Sequence, residues 1–209
     1  MPGRLSLPLG TRTLQHLLRG VIAGVLAAGL LLPNVSVAVN AALALAVTAL
    51  PAVLRRDHQV HLGTGPTLWL TTTVTLHAVG MAVLYDAVFW WDHLTHLVSG
   101  ALVAGVGYAV VRALDQHTER IHLPGAFLGL YVVVFTLAAG VVWELIEMVG
   151  REAARAGGMD PILVVYGVED TVLDLVFDAA GGVVVAVAGT DYFEPTRAAI
   201  LARLNRDAG

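Results

Sequence analysis

Apolar residues run along this chain in long blocks, separated by short stretches rich in Gly, Pro, Asp and Arg. Each block holds about 20 residues, the length an α-helix needs to cross a hydrocarbon layer of ~30 Å. The blocks predict six helices, at about 14–32, 35–54, 66–85, 89–114, 126–150 and 171–193. Pro33 closes the first, Arg55-Arg56 ends the second, and a Gly63-Thr64-Gly65-Pro66 turn opens the third. The tail, 194–209, sets Ile200, Leu201 and Leu204 among Arg197, Arg203 and Arg206, a pattern for a short amphipathic helix on the inner leaflet. The expected fold class is therefore all-α: a polytopic helical bundle forming one transmembrane domain over 1–209.

Orientation follows from the arginines. With the N-terminus inside, Arg4, Arg12, Arg19, Arg55, Arg56, Arg112, Arg120, Arg197, Arg203 and Arg206 are cytoplasmic, and only Arg151 and Arg155 are external. That bias places both termini in the cytoplasm. Arginines ahead of an apolar stretch also suit a signal peptide, but the next apolar block starts almost at once, so an uncleaved first helix is expected.

Composition agrees with the pattern. Hydrophobic residues make up 57% of the 209 and charged residues only 13%, where soluble domains carry roughly a quarter charged. A net charge of −4 with no basic stripe excludes a nucleic-acid partner, and the lipid bilayer is the expected surrounding. The expected location is a prokaryotic cell membrane. Cysteine is absent, which removes disulfides, thiolate ligands and cysteine nucleophiles from consideration. Gly20-x-x-x-Gly24, Gly125-x-x-x-Gly129, Gly100, Gly105, Gly107 and Gly181-Gly182 are read as sites of close helix approach. Asn34-Val35-Ser36 matches a glycosylation acceptor by chance, since almost no loop surrounds it.

Ionisable groups change the picture. The central parts of the first two helices hold none, while the last four contain His77, Asp92, His93, His96, Glu144, Glu147, Asp174 and Asp178, with Asp170 close by. In the orientation above these all fall in the outer half of the membrane. Asp92 and His96 share a helix face at i, i+4; Glu144 and Glu147 lie at i, i+3; Asp170, Asp174 and Asp178 form one stripe. Crowded carboxylates repel one another, and a divalent metal cation removes that repulsion. Asp92, His93, His96, Glu144, Glu147, Asp170, Asp174 and Asp178 are thus candidate metal ligands, and Glu144 and Asp174 candidate catalytic carboxylates. A plainer account also stands: Asp92, His93 and Asp170 suit wet, helix-capping positions, and His77 suits a buried histidine with its bonds satisfied. The last four helices are expected to pack as a core with the first two at its periphery.

Asp92-His93-x-x-His96-x-x-x-Gly100, Trp143-Glu144-x-x-Glu147 and Gly167-x-Glu169-Asp170-x-x-x-Asp174-x-x-x-Asp178-x-x-Gly181 resemble the motifs of YjdF-like inner-membrane proteins. The resemblance covers about 87–182 and implies a multi-pass membrane protein, without naming a reaction. His-Glu-x-x-His is absent, as are the motif blocks of CDP-alcohol phosphotransferases and membrane lipid phosphatases. Three function classes stay open. One is a metal-dependent hydrolase or transferase acting on a lipid or lipid-linked substrate. The second is an ion- or proton-coupled transporter using the same carboxylates. The third is a structural or accessory membrane protein.

Overall fold

The computed structural model describes residues 10–118, 120, 122–158 and 167–207. Arg4 and residues 159–166 of the expected fifth-to-sixth loop lie outside them. The described residues are helical almost throughout, and six helices are long and apolar enough to span a membrane. These are α1 (Thr11–Leu31), α2 (Val35–Asp57), α3 (Thr64–Ala87), α4 (Trp91–His117), α5 (Gly125–Ala156) and α6 (Val168–Ala188). A 3-10 turn, Thr190–Phe193, leads into α7 (Glu194–Asp207).

Local chemistry explains where these helices start, stop and break. Asn34 caps α2 by accepting the Val37 N–H at 3.0 Å, so the Asn34-Val35-Ser36 triplet is a helix start. The ladder of α2 is interrupted at Ala49, just before Pro51, which has no N–H to donate. The fifth helix runs to Ala156 where 150 was expected, because Arg155 pairs with Glu152 at 2.9 Å and carries the helix past Gly150. Two π-turns, Gly80–Leu84 in α3 and Val185–Gly189 at the end of α6, widen the backbone locally.

The expected core of four helices is not what forms. The bundle has two halves: α1, α2 and α3 pack together, α4, α5 and α6 pack together, and α3 meets α4 between them. Each half has its own apolar cluster. Ile22, Ala41, Ala44 and Ala78 fill one; Ala101, Leu102, Ala104, Ala109, Val132, Val185 and Phe193 fill the other. The tail helix α7 returns against α4, joined by Arg197 to Gln116 and by His117 to Asn205 at 2.7 Å. Outward faces are apolar: Leu31, Phe89 and Val187 are each more than 80% exposed, which suits lipid and not water.

Glycine sets the helix spacing only where the backbones meet. A Cβ on Gly181 would lie 2.6 Å from both the Ala101 nitrogen and the Leu97 oxygen, and one on Gly100 2.9 Å from the Asp178 Cα. The α4–α6 contact therefore exists at this distance only without side chains at either position. Gly29 does the same against Ala38 of α2. Gly20, Gly24, Gly125 and Gly129 differ from the expectation, for nothing lies within 4 Å of a Cβ on any of them.

Gly181→Ala is therefore expected to lose about 1–3 kcal/mol through overpacking. Gly20→Ala should gain up to about 1 kcal/mol from helix propensity. Thermal unfolding in detergent, run on the two variants side by side, measures both.

Candidate functional site

The acidic and histidine residues come from three helices. The opening turns of α4 supply Asp92, His93 and His96; α5 supplies Glu144 and Glu147; the first three turns of α6 supply Asp170, Asp174 and Asp178. Close approach of α4 and α6 at Gly100 and Gly181 brings the two motifs face to face.

His96 is the hub. Its Nδ1 lies 3.3 Å from Asp178 Oδ2. Its Nε2 faces the other way, toward Asp92 Oδ1 at 3.8 Å, Glu144 Oε1 at 3.9 Å and Asp174 Oδ1 at 4.0 Å. Asp174 Oδ1 also meets His93 Nδ1 at 3.0 Å, and the His93 ring stacks on Phe177 with centroids 5.0 Å apart. Glu144 is held by one oxygen, since Thr171 Oγ1 donates to Oε2 at 2.9 Å. Its other oxygen, Oε1, is buried and has no hydrogen-bond partner among the described residues. His96, Glu144, Asp174 and Asp178 are each less than 9% exposed.

Two overlapping groups have one donor atom per residue within 4.8 Å of one another: Asp92, His96 and Asp174, and His93, Asp170 and Asp174. Asp174 belongs to both. Asp178 stands behind His96 and fixes its ring, leaving Nε2 directed at the cluster, the arrangement by which an outer carboxylate orients a metal-ligating imidazole. Glu147 is half-buried one turn beyond Glu144 and takes no hydrogen bond or ion pair among the described residues. Seven of the eight sequence-selected residues thus share one locus, and Glu147 lies at its edge.

Around Asp178 the packing is tight. A Cβ on Gly140 of α5 would clash with Asp178 Oδ2, and one on Gly100 would lie 2.9 Å from Oδ1. Two glycines on neighbouring helices therefore make the room that this buried carboxylate occupies.

A hydrogen-bond chain joins the site to the other half of the bundle. Asn40 Oδ1 of α2 lies 3.1 Å from His77 Nε2, and His77 Nδ1 lies 2.9 Å from the Tyr85 hydroxyl. The Tyr85 hydroxyl reaches Thr95 Oγ1 at 3.4 Å, and Thr95 donates to the Asp92 carbonyl at 2.7 Å. His77 is thus satisfied at both nitrogens, as expected. Asn40, Tyr85, Thr95 and Thr171 escaped the sequence reading. An Asn in a helix without charges, and a Tyr at a helix end, carry no spacing signal; the Thr95 and Thr171 positions, inside the two motifs, did.

The sequence profile of a family described as predicted membrane protein DUF2238 matches residues 14–195. The chain belongs to the DUF2238 family. The match takes in all six membrane-length helices, and the YjdF-like resemblance of the motifs fits it. An uncharacterized protein of Thermotoga maritima is 31% identical over 121 residues, covering 54% of this chain. This chain spans 56% of that relative's length. No solved structure matches. Membership makes the chain a membrane protein, and its own structure holds the buried acidic and histidine cluster.

Tyr85→Phe removes the hydroxyl between His77 and Thr95. It is expected to cost about 1–3 kcal/mol, the penalty for leaving a buried polar atom unpaired. Asn40→Leu should cost a similar amount, and the double variant less than the sum, because both break one chain. A double-mutant cycle on thermal unfolding checks this.

Proposed function

We propose that the cluster is a divalent-cation site and that the protein is a metal-dependent hydrolase or transferase acting on a lipid or lipid-linked ester or phosphoester. The observation that carries this reading is Glu144 Oε1, buried with no hydrogen-bond partner among the described residues, 3.9 Å from His96 Nε2 with Asp92 and Asp174 beside it. An orphaned carboxylate oxygen in an apolar bundle is costly, and a cation facing it, Asp92, Asp174 and His96 Nε2 would repay that cost. Oxygen donors with one imidazole suit Zn²⁺, Mn²⁺ or Mg²⁺ by ligand type.

On this reading Asp92, His96, Glu144 and Asp174 hold the ion, with His93 and Asp170 sharing Asp174 on the side toward the α6 terminus. A bound cation supplies Lewis acidity toward an ester or phosphoryl oxygen. Glu144 and Asp174 are the groups placed to take a proton from an attacking water or alcohol, Thr171 keeping the Glu144 carboxylate aimed. Asp178 and the Tyr85–Thr95 pair position His96 and Asp92. The apolar outer faces of α5 and α6 deliver substrate from the bilayer, which is why a lipid or lipid-linked substrate is favoured over a soluble one.

A transport pathway would need polar groups continuing toward the other membrane face. Among the described residues, Thr71 bonds to the Thr67 carbonyl, Thr75 to Thr71 and Thr136 to Val132, each within its own helix, while the buried Thr73 Oγ1 has no hydrogen-bond partner. These hydroxyls form no continuous relay, which favours the enzyme reading. The arginine distribution supports an orientation with the cluster toward the external side of a prokaryotic cell membrane. Reporter fusions after Leu54 and Leu114 should be cytoplasmic, and a fusion at Gly157 external; the reverse pattern overturns this orientation.

Elemental analysis of detergent-purified protein is expected to find bound metal, and chelation to lower the melting temperature by about 5–10 °C. Glu144→Gln, Asp174→Asn and His96→Ala should each lose the metal and the chelator response while inserting as folded protein. A wild type indifferent to chelator, with amide variants more stable than it, sinks the metal reading.

A further inference from the structure

A second site lies at the opposite end of the bundle. A cavity of about 470 Å³ opens where α4 ends and α5 begins. Tyr108 and Arg112 of α4 form one wall, His122 and the first two turns of α5 another, and Ala186 and Thr190 a third. Arg112 is sixteen residues along α4 from His96, roughly 24 Å at the helical rise, so the two sites are separate. The cavity shares no residue with the acidic and histidine cluster.

Among the described residues Arg112 is the only permanently charged one lining this cavity, and no carboxylate lines it. Asp115 takes the guanidinium by Nη1 with one oxygen and the Leu123 N–H at 2.8 Å with the other, so it holds Arg112 from outside the lining. The helix terminus adds to this. α5 starts with Pro124 at the cap position and no side-chain cap, so its first-turn amides and the positive end of its dipole have no side-chain acceptor. His122 stands beside them.

Space and polarity complete the case. Gly125 and Gly129, a spacing that suggests helix packing, face no helix: a Cβ on either would enter open space, and both line the cavity. Leu128, Val132 and Ala186 make its deeper wall apolar. A mouth of guanidinium, imidazole and first-turn amide donors at the ends of membrane-length helices, above an apolar floor, matches a phosphate ester joined to a hydrocarbon chain. We propose that this cavity binds the phosphate of an anionic phospholipid between Arg112, His122 and the first turn of α5, with the adjoining chain laid along Gly129 and Val132. A soluble phosphate ester shares the head chemistry but leaves the apolar wall unused.

Native mass spectrometry of the full chain in neutral detergent tests this, titrating phosphatidylglycerol, phosphatidylcholine and glycerol 3-phosphate. Phosphatidylglycerol should bind at one per chain, about tenfold or more tighter than the other two. Gly129→Leu fills the cavity, and His122→Ala removes a mouth group that bonds to nothing structural. The first should weaken phosphatidylglycerol about tenfold or more and the second measurably, with no fall in melting temperature. Should Gly129→Leu fail to fold, Gly129→Ala replaces it with the same expected direction. Equal binding by wild type and the cavity-filling variant overturns the site, as does indifference to the headgroup. Glycerol 3-phosphate binding as tightly as the lipid overturns the lipid assignment.

Discussion

Three carboxylates and an imidazole sit where α4, α5 and α6 leave almost no room for water, and the structure around them answers to the cost of keeping them there. His96 is shared between Asp178 on one nitrogen and the remaining acids on the other. Thr171 and His93 each take up one further oxygen. Such pairing needs donors and acceptors within a few tenths of an ångström of their places, which requires helices that cannot slide. Gly100, Gly140 and Gly181 supply that rigidity by letting backbone meet backbone, or carboxylate meet backbone, with no flexible side chain between. The small residues and the charged ones are parts of the same arrangement.

The same economy explains the unequal halves of the bundle. The α1–α2–α3 half has an apolar cluster of Ala and Ile and reaches the site through the chain of Asn40, His77 and Tyr85. The α4–α5–α6 half holds the cluster, and α4, the most buried of the six long helices, lies between its two neighbours. Buried polar groups are concentrated where partners from three helices can satisfy them.

Much of this was legible in the sequence, for a physical reason. Apolar blocks of membrane length admit one solution, so six helices could be read directly, with ends misplaced by a few residues where ion pairs such as Arg155–Glu152 extended them. Charged residues in such blocks are conspicuous, and their i, i+3 and i, i+4 spacing assigned them to faces. What spacing could not supply was partnership between helices. It left α3 in the wrong half, treated Gly20, Gly24, Gly125 and Gly129 like Gly181, and missed Asn40 and Tyr85, whose roles depend on what stands opposite them.

The π-turn of α3 bears on one of those partnerships. His77 and Tyr85 are eight residues apart, and in a regular α-helix eight residues leave two side chains about 80° out of line. The wider turn at Gly80–Leu84 takes up the difference, folds the Tyr85 ring over Gly80 and brings its hydroxyl to His77. The helix therefore carries a built-in phase correction. Below it, α3 packs against α1, α2 and α4 alike; above it, Tyr85 turns back over Gly80 to reach His77 and Thr95. One wide turn lets two side chains of a single helix join one hydrogen-bond chain that a uniform helix would hold apart.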